Sequence, residues 1–163
     1  MTTTCCPVAR PGKEANVVHS PKRKLFLDLV LSLFRLNGLL VSEGDRMAEA
    51  LGLTSARWKV IGVVALAHSG MTVPGIARVL GQSRQAVQRI CDVMEKDNLL
   101  RYLPNPGHKR SLLVCLTDSG QEAYSALRSV QDPWAIQNTE DVPAEELETA
   151  LLLVRRLIRK FEH

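Results

Sequence analysis

From Lys22 to about Ala50, apolar residues recur every three or four positions, at Leu25, Leu29, Leu33, Leu36, Leu40 and Met47. The spacing predicts one long helix. Its apolar residues fall on more than one side, so it has more than its own domain to pack against. Gly52 closes this helix, and Thr54 is placed to cap a second over about Ser55–Ser69, built on Val60, Ile61, Val64 and Leu66. Ser69-Gly70 breaks that helix. A short third helix, Val73–Leu80, has Pro74 in its first turn, where a missing amide is harmless. After a tight turn at Gly81-Gln82, Ser83 caps a fourth helix to about Asp97. The period then drops to two: Leu99–Leu103 and Ser111–Leu116 read as strands joined by a turn-rich, basic tip, Pro104-Asn105-Pro106-Gly107-His108-Lys109. Thr117 caps a fifth helix, with Asp118 in its first turn, and a break or kink is expected near Asp132-Pro133. Pro143 begins the last helix, which has Glu145 and Glu146 at its start and Arg155, Arg156, Arg159 and Lys160 at its end, an order that suits the helix dipole.

This alternation of helices around one short hairpin predicts a mainly α fold with a small β wing. A length of 163 residues suits one domain, and residues 1–21, with Pro7, Pro11, Gly12 and Pro21, read as a flexible arm. Aromatics are only 4% of the chain, which argues against a base-stacking platform for single strands. The net charge of +4 is unevenly spread. Residues 1–24 and 78–110 each carry +4, residues 25–77 are neutral, and residues 111–163 carry −4. Basic arm and basic middle against an acidic end predict one polyanion-facing side. The first 20 residues have no apolar core of a leader. The greasiest run, 25–41, is about 17 residues and holds Asp28, Arg35 and Asn37, short for a bilayer. Four cysteines without metal-like spacing complete the expectation of a reduced, cytoplasmic chain.

The window Val73–Asp92, VPGIARVLGQSRQAVQRICD, carries the most specific signal. Ala77 lies four residues before Gly81, with Val87 six and Ile90 nine after it. Two helices cross closely when a small side chain faces their turn and the turn residue accepts positive φ. Ile76, Leu80, Val87 and Ile90 supply the core between them. With Val87, Ile90, Cys91 and Met94 facing inward, the opposite face of the fourth helix is Arg84, Gln85, Gln88 and Arg89. That pattern predicts a recognition helix, with Ser83, Arg84 and Gln85 on the first turn, where such a helix meets base edges in the major groove. Arginine suits guanine O6/N7 and glutamine suits adenine N6/N7. Gln82 stands where such motifs usually hold an apolar residue.

Together with LTSARWKVIGVVA at 53–65 and LPNPGHKRSLLVCLTDSGQEAY at 103–124, the stretch LGQSRQAVQRICDVMEKDNLL at 80–100 resembles the MarR family of winged-helix transcriptional regulators. The resemblance covers about 25–162. It implies a homodimer joined by the first and last helices (22–52 and 117–163) around a winged helix-turn-helix at 54–116. It also implies a wing tip in the minor groove beside the recognition helix, most often in a repressor, with effectors bound between dimer joint and DNA-binding lobe. On this reading Arg110 and Lys109 enter the minor groove and Ser83 and Arg101 meet phosphates. His108 stands where family wings brace the arginine with an aspartate, so a looser wing is expected, and a protonated His108 adds attraction to phosphate. Asn98 replaces a helix-ending glycine and is expected to be left-handed. Leu147, Ala150, Leu151, Val154, Leu157, Ile158 and Phe161 form a stripe longer than a small core needs, which independently favours a dimer.

Chemistry beyond DNA is sparse. His19, His68, His108 and His163 are scattered, and neither a metal centre, a cofactor nor enzymatic machinery is expected. Cys91 reads as a buried hydrophobe, Cys115 as a candidate thiol switch, and Cys5-Cys6 as tail thiols. Trp58 is a candidate wall of an effector pocket or a packing residue. Two alternatives stand beside the DNA-reading regulator. One is a winged-helix interaction module that does not read DNA, and the other is a thiol-based redox-sensing regulator.

Overall fold

The computed structural model describes residues 20–49, 51–108 and 110–162. In order these form α1 (Pro21–Glu49), α2 (Ser55–Leu66), α3 (Val73–Leu80), α4 (Arg84–Lys96), β1 (Leu100–Leu103), β2 (Leu113–Leu116), α5 (Asp118–Gln137) and α6 (Ala144–Phe161). Six helices and one antiparallel hairpin make the expected winged-helix architecture. The register pairs Leu100 with Leu116, Arg101 with Cys115, Tyr102 with Val114 and Leu103 with Leu113. Met71 adds a third, isolated bridge to Val114.

Side-chain caps set most helix starts. The hydroxyls of Thr54, Thr72, Ser83 and Thr117 accept from the amides of Arg57, Gly75, Ala86 and Gly120. Gly81, at φ 62°, is left-handed and ends α3, as the helix-turn-helix requires. Asn98 takes φ 56°, the left-handed conformation expected of it. A further cap comes from far along the chain. The Asp45 carboxylate accepts from the Ser55 amide at 2.7 Å and so caps α2 beside Thr54.

The core lies among α2, α3, α4 and the hairpin: Val60, Ile61, Val64, Ile76, Ala77, Val87, Cys91, Met94, Leu100 and Val114 are buried. Each of the larger aliphatic side chains contributes roughly 1.5–3 kcal/mol relative to exposure. Leu99 and Gly120 approach so closely that a Cβ at 120 would collide with the Leu99 carbonyl. That contact seats the start of α5 against the root of the wing.

Three local expectations need correction. α2 ends at Leu66, not Ser69, and Leu66 is 69% exposed, outside the core. The chain needs residues 67–70, with His68 at φ 50°, to turn Met71 onto the hairpin edge, where Met71 and Val114 exchange hydrogen bonds of 3.0 and 2.9 Å. The second strand begins at Leu113 rather than Ser111, because the turn at the tip extends to Ser111. The expected break in α5 does not occur, since the helix continues through Pro133 to Gln137. Proline removes the amide that would bond Ser129's carbonyl, but both residues are exposed, so water can serve that carbonyl.

The chain divides between Leu40 and Val41 into two compact units. In the first, α1 exposes Leu25, Leu31, Phe34 and Leu39. α1 has 29 residues, with mean hydropathy 1.7 over its most apolar window, and by length and composition alone it could cross a membrane. The helix outruns the 17-residue apolar run legible in the sequence. In the second unit, Met47 and Ala48 are buried and Gly44 packs on Trp58. α6 buries none of its residues and exposes Leu147, Leu151, Leu152, Ile158 and Phe161. The arm before Ser20, with Cys5, Cys6 and His19, lies outside the described residues, as do Ala50, Lys109 and His163.

Candidate nucleic-acid interface

Capped by Ser83, α4 presents Arg84, Gln85, Gln88 and Arg89 on its outer side, all exposed. These four, with Val73 and Pro74 of α3, line an open hollow of about 530 Å³. A second hollow of about 390 Å³ shares Val73, Pro74 and Gln88 and continues to Tyr102, Arg110, Ser111 and Leu112. The fold therefore sets the polar face of α4 beside the base of the wing. The ion pairs among the described residues are Arg46–Glu43, Arg57–Asp97 and Arg128–Asp132. Arg84, Arg89 and Arg110 belong to none of them. Cations left unpaired on a concave face are what a phosphate backbone needs.

At the wing tip, the Asn105 side-chain oxygen accepts from the Gly107 amide at 3.0 Å, and the Asn105 carbonyl accepts from the His108 amide at 3.2 Å. His108 and Arg110 are both exposed there. Arg101 sits elsewhere. Strand alternation puts it with Cys115 on the other face of the hairpin, where both line a hollow of about 340 Å³ with His68 and Gln121. The candidate phosphate contact of Arg101 is thus separated from the α4 hollow by the sheet itself.

One constellation was not singled out in the sequence. The Gln88 amide nitrogen donates to Asp92 Oδ1 at 2.6 Å and to the Tyr102 hydroxyl at 2.8 Å, and that hydroxyl donates to Asp92 Oδ1 at 3.0 Å. Burial, reinforced by the bond to Asp92, pushes the Tyr102 phenol well above its ordinary pKa, so it stays protonated. The four-residue step from Gln88 to Asp92 was visible in the sequence as one helix face. Tyr102 joins them only once the hairpin folds back.

The cysteines separate by environment. Cys91 is fully buried, and burial pushes its thiol up to about 11. Cys115 is half-buried, its sulfur packed so closely on Gly70 that a Cβ there would collide. Trp58 lines a hollow of about 430 Å³ between α2 and α5, with Lys59, Gly62, Tyr124, Arg128 and Gln131 among its other walls. Its indole nitrogen is buried without a hydrogen-bond partner among the described residues.

A helix-turn-helix and adjoining hairpin that display unpaired cations define a winged-helix DNA-binding protein. The chain belongs to the MarR family, whose family model matches residues 51–111, and it is a DNA-binding transcriptional regulator. An uncharacterised protein of Mycobacterium tuberculosis is 36% identical over 124 residues, 69% of this chain and 85% of that one. The transcriptional activatory protein BadR of Rhodopseudomonas palustris is 33% identical over 108 residues, 65% of this chain and 62% of its own length. The crystal structure of a MarR variant from E. coli complexed with operator DNA is similar at TM-score 0.62 and 25% identity, covering 80% of this chain and 96% of that one. Family and fold are those of transcription regulators rather than enzymes.

Proposed function

We propose that the chain is a cytoplasmic homodimeric repressor that reads a two-fold symmetric operator and is released by a small effector. The observation that carries the DNA reading is the α4 hollow, where Arg84, Gln85, Gln88 and Arg89 converge beside Arg110. Arg84, Gln85, Gln88 and Arg89 approach base edges. Ser83, at the N-terminus of α4, faces phosphate, and Arg110 with Lys109 enters the minor groove. His108 lies exposed at the same tip and adds a polar contact there. Arg101 makes a phosphate contact only where the backbone wraps to the far face of the wing. The exposed apolar faces of α1 and α6 support the homodimer, each being too long to leave in water.

Selection from a random duplex library tests this, followed by anisotropy on the winner and a scrambled control at about 150 mM salt. A specific regulator prefers the winner by at least about 10³-fold. Its half-sites should lie about one helical turn, roughly 10 bp, apart. Equal binding of winner and scramble would instead support a winged-helix interaction module.

Effector release is supported by the α2–α5 hollow, whose apolar wall of Trp58, Val63, Leu66 and Leu127 adjoins Lys59 and the Arg128–Asp132 ion pair. Lys59, which is in no ion pair among the described residues, suits the hollow to a small apolar anion. Gly62 lines the hollow, and a Cβ there would meet no neighbouring atom. Gly62→Leu should therefore fill the space, leave operator affinity within about threefold, a shift under 1 kcal/mol, and abolish any response to apolar carboxylates. A Gly62→Leu protein that is still released would place the effector elsewhere. A peroxide effect on affinity that Cys115→Ser removes would favour the redox-sensing alternative.

A further inference from the structure

We propose that Gln88 meets DNA as a hydrogen-bond acceptor only, its polarity set by Asp92 and Tyr102. This rests on the DNA reading above and specifies what one of its residues can recognise. A glutamine amide has two N–H donors and one carbonyl oxygen. Here the nitrogen faces Asp92 Oδ1 at 2.6 Å and the Tyr102 hydroxyl at 2.8 Å, which accounts for both hydrogens. The reverse orientation fails chemically. It would set the amide oxygen against a carboxylate, and the single phenol hydrogen is already donated to Asp92. The side chain is nonetheless exposed and lines both hollows of the interface, so its oxygen remains available to a ligand. Tyr102 and Asp92 act as positioning residues, and Gln88 touches the DNA.

The consequence concerns base choice. A two-bond pairing with adenine needs the amide oxygen to accept from N6 and the amide nitrogen to donate to N7. The second bond is not available to Gln88 as held here. An acceptor alone is satisfied by any exocyclic amine in the major groove, on adenine N6 or cytosine N4. It meets only acceptors on guanine, and an acceptor beside a methyl group on thymine. The position facing Gln88 should therefore admit adenine or cytosine and refuse guanine and thymine. This replaces the adenine-specific pairing that the residue type alone suggests.

The test begins with the duplex selected by the wild-type protein. Gln88→Ala should lose base preference at one symmetry-related pair of positions and keep it elsewhere, which locates the contact. With all four bases placed there, the wild-type protein should bind adenine and cytosine within about threefold and guanine and thymine at least about tenfold more weakly. The double variant Tyr102→Phe, Asp92→Ala releases the amide and should favour adenine over cytosine by about tenfold or more. In the DNA-free protein, nuclear magnetic resonance should show the Gln88 side-chain amide protons exchanging slowly in the wild type and fast in the double variant. The same spectra report whether the variant is folded. A wild-type protein that already separates adenine from cytosine tenfold overturns the inference, as does a Gln88→Ala protein with unchanged preference everywhere or a fast-exchanging wild-type amide. Should selected and scrambled duplexes bind alike, the DNA reading itself falls, and this inference with it.

Discussion

Single side chains in this protein owe their roles to what surrounds them, and two comparisons expose this. Cys91 and Cys115 are both free thiols, yet Cys91 is sealed in the core with its thiol raised to about 11 by burial. At pH 8 its thiolate fraction is on the order of 10⁻³. Treatment with iodoacetamide at that pH should leave Cys91 unmodified in the native protein and label it promptly in denaturant, read by peptide mass spectrometry. Native labelling at the free-thiol rate would contradict the core. The second comparison is between arginines. Arg84 lies on the first turn of α4 and Arg110 at the wing. Arg84→Ala should relax preference at one operator position, at a cost of about 1–3 kcal/mol. Arg110→Ala should weaken all duplexes alike and lower the salt slope by about 1. Uniform losses from both would remove the base-reading role of Arg84. The caps Thr54, Ser83 and Thr117 were legible because an N-cap is a local event. The Tyr102 contact with Gln88 was not, since fourteen residues and a strand pairing separate them.

Elements show the same division. α3 and α4 have the expected limits, because their caps, the turn at Gly81 and the spacing of apolar residues all agree within twenty residues. α2 was overextended since its end depends on Met71 joining the hairpin, a distant pairing. Its start depends on Asp45, ten residues earlier, whose carboxyl is held below its usual value by donation from the Ser55 amide, then from the Ser55 hydroxyl. A lowered folded-state pKa stabilises the fold above the unfolded value, near 3.9, and that stability is lost as pH falls through the lower folded value. Asp45→Ala should thus lower Tm most at neutral pH, and the gap should close as pH drops below about 4. A gap that is constant with pH would show that the cap does not depend on charge. Pro133 misled as a sign of a break because the carbonyl it frees, at Ser129, lies exposed where water can serve it.

For the molecule as a whole, the apolar faces left open on α1 and α6 set the strongest expectation. Leu151 is 47% exposed on α6, with no partner among the described residues to bury it. The wild-type protein should sediment as a dimer at micromolar concentration, and Leu151→Glu should shift it toward monomer. As the proposed dimer would bind two half-sites as one unit, that variant should also lose most of its operator affinity. A monomeric wild-type protein bound to a symmetric site would refute the joint. The sequence by itself determined the helix order, the helix-turn-helix, the wing and the side of α4 that faces out, since each follows from periodicity and local capping. Only the tertiary structure decided which polar residues meet. It set Gln88 against Asp92 and Tyr102, turned Arg101 to the far face of the wing, and opened the hollow beside Trp58. The physical reason is reach. A hydrogen-bond cap or an apolar stripe is decided within a few residues. The partner of an amide, the face of a hairpin and the space between two helices are decided by segments that meet only after the core has formed.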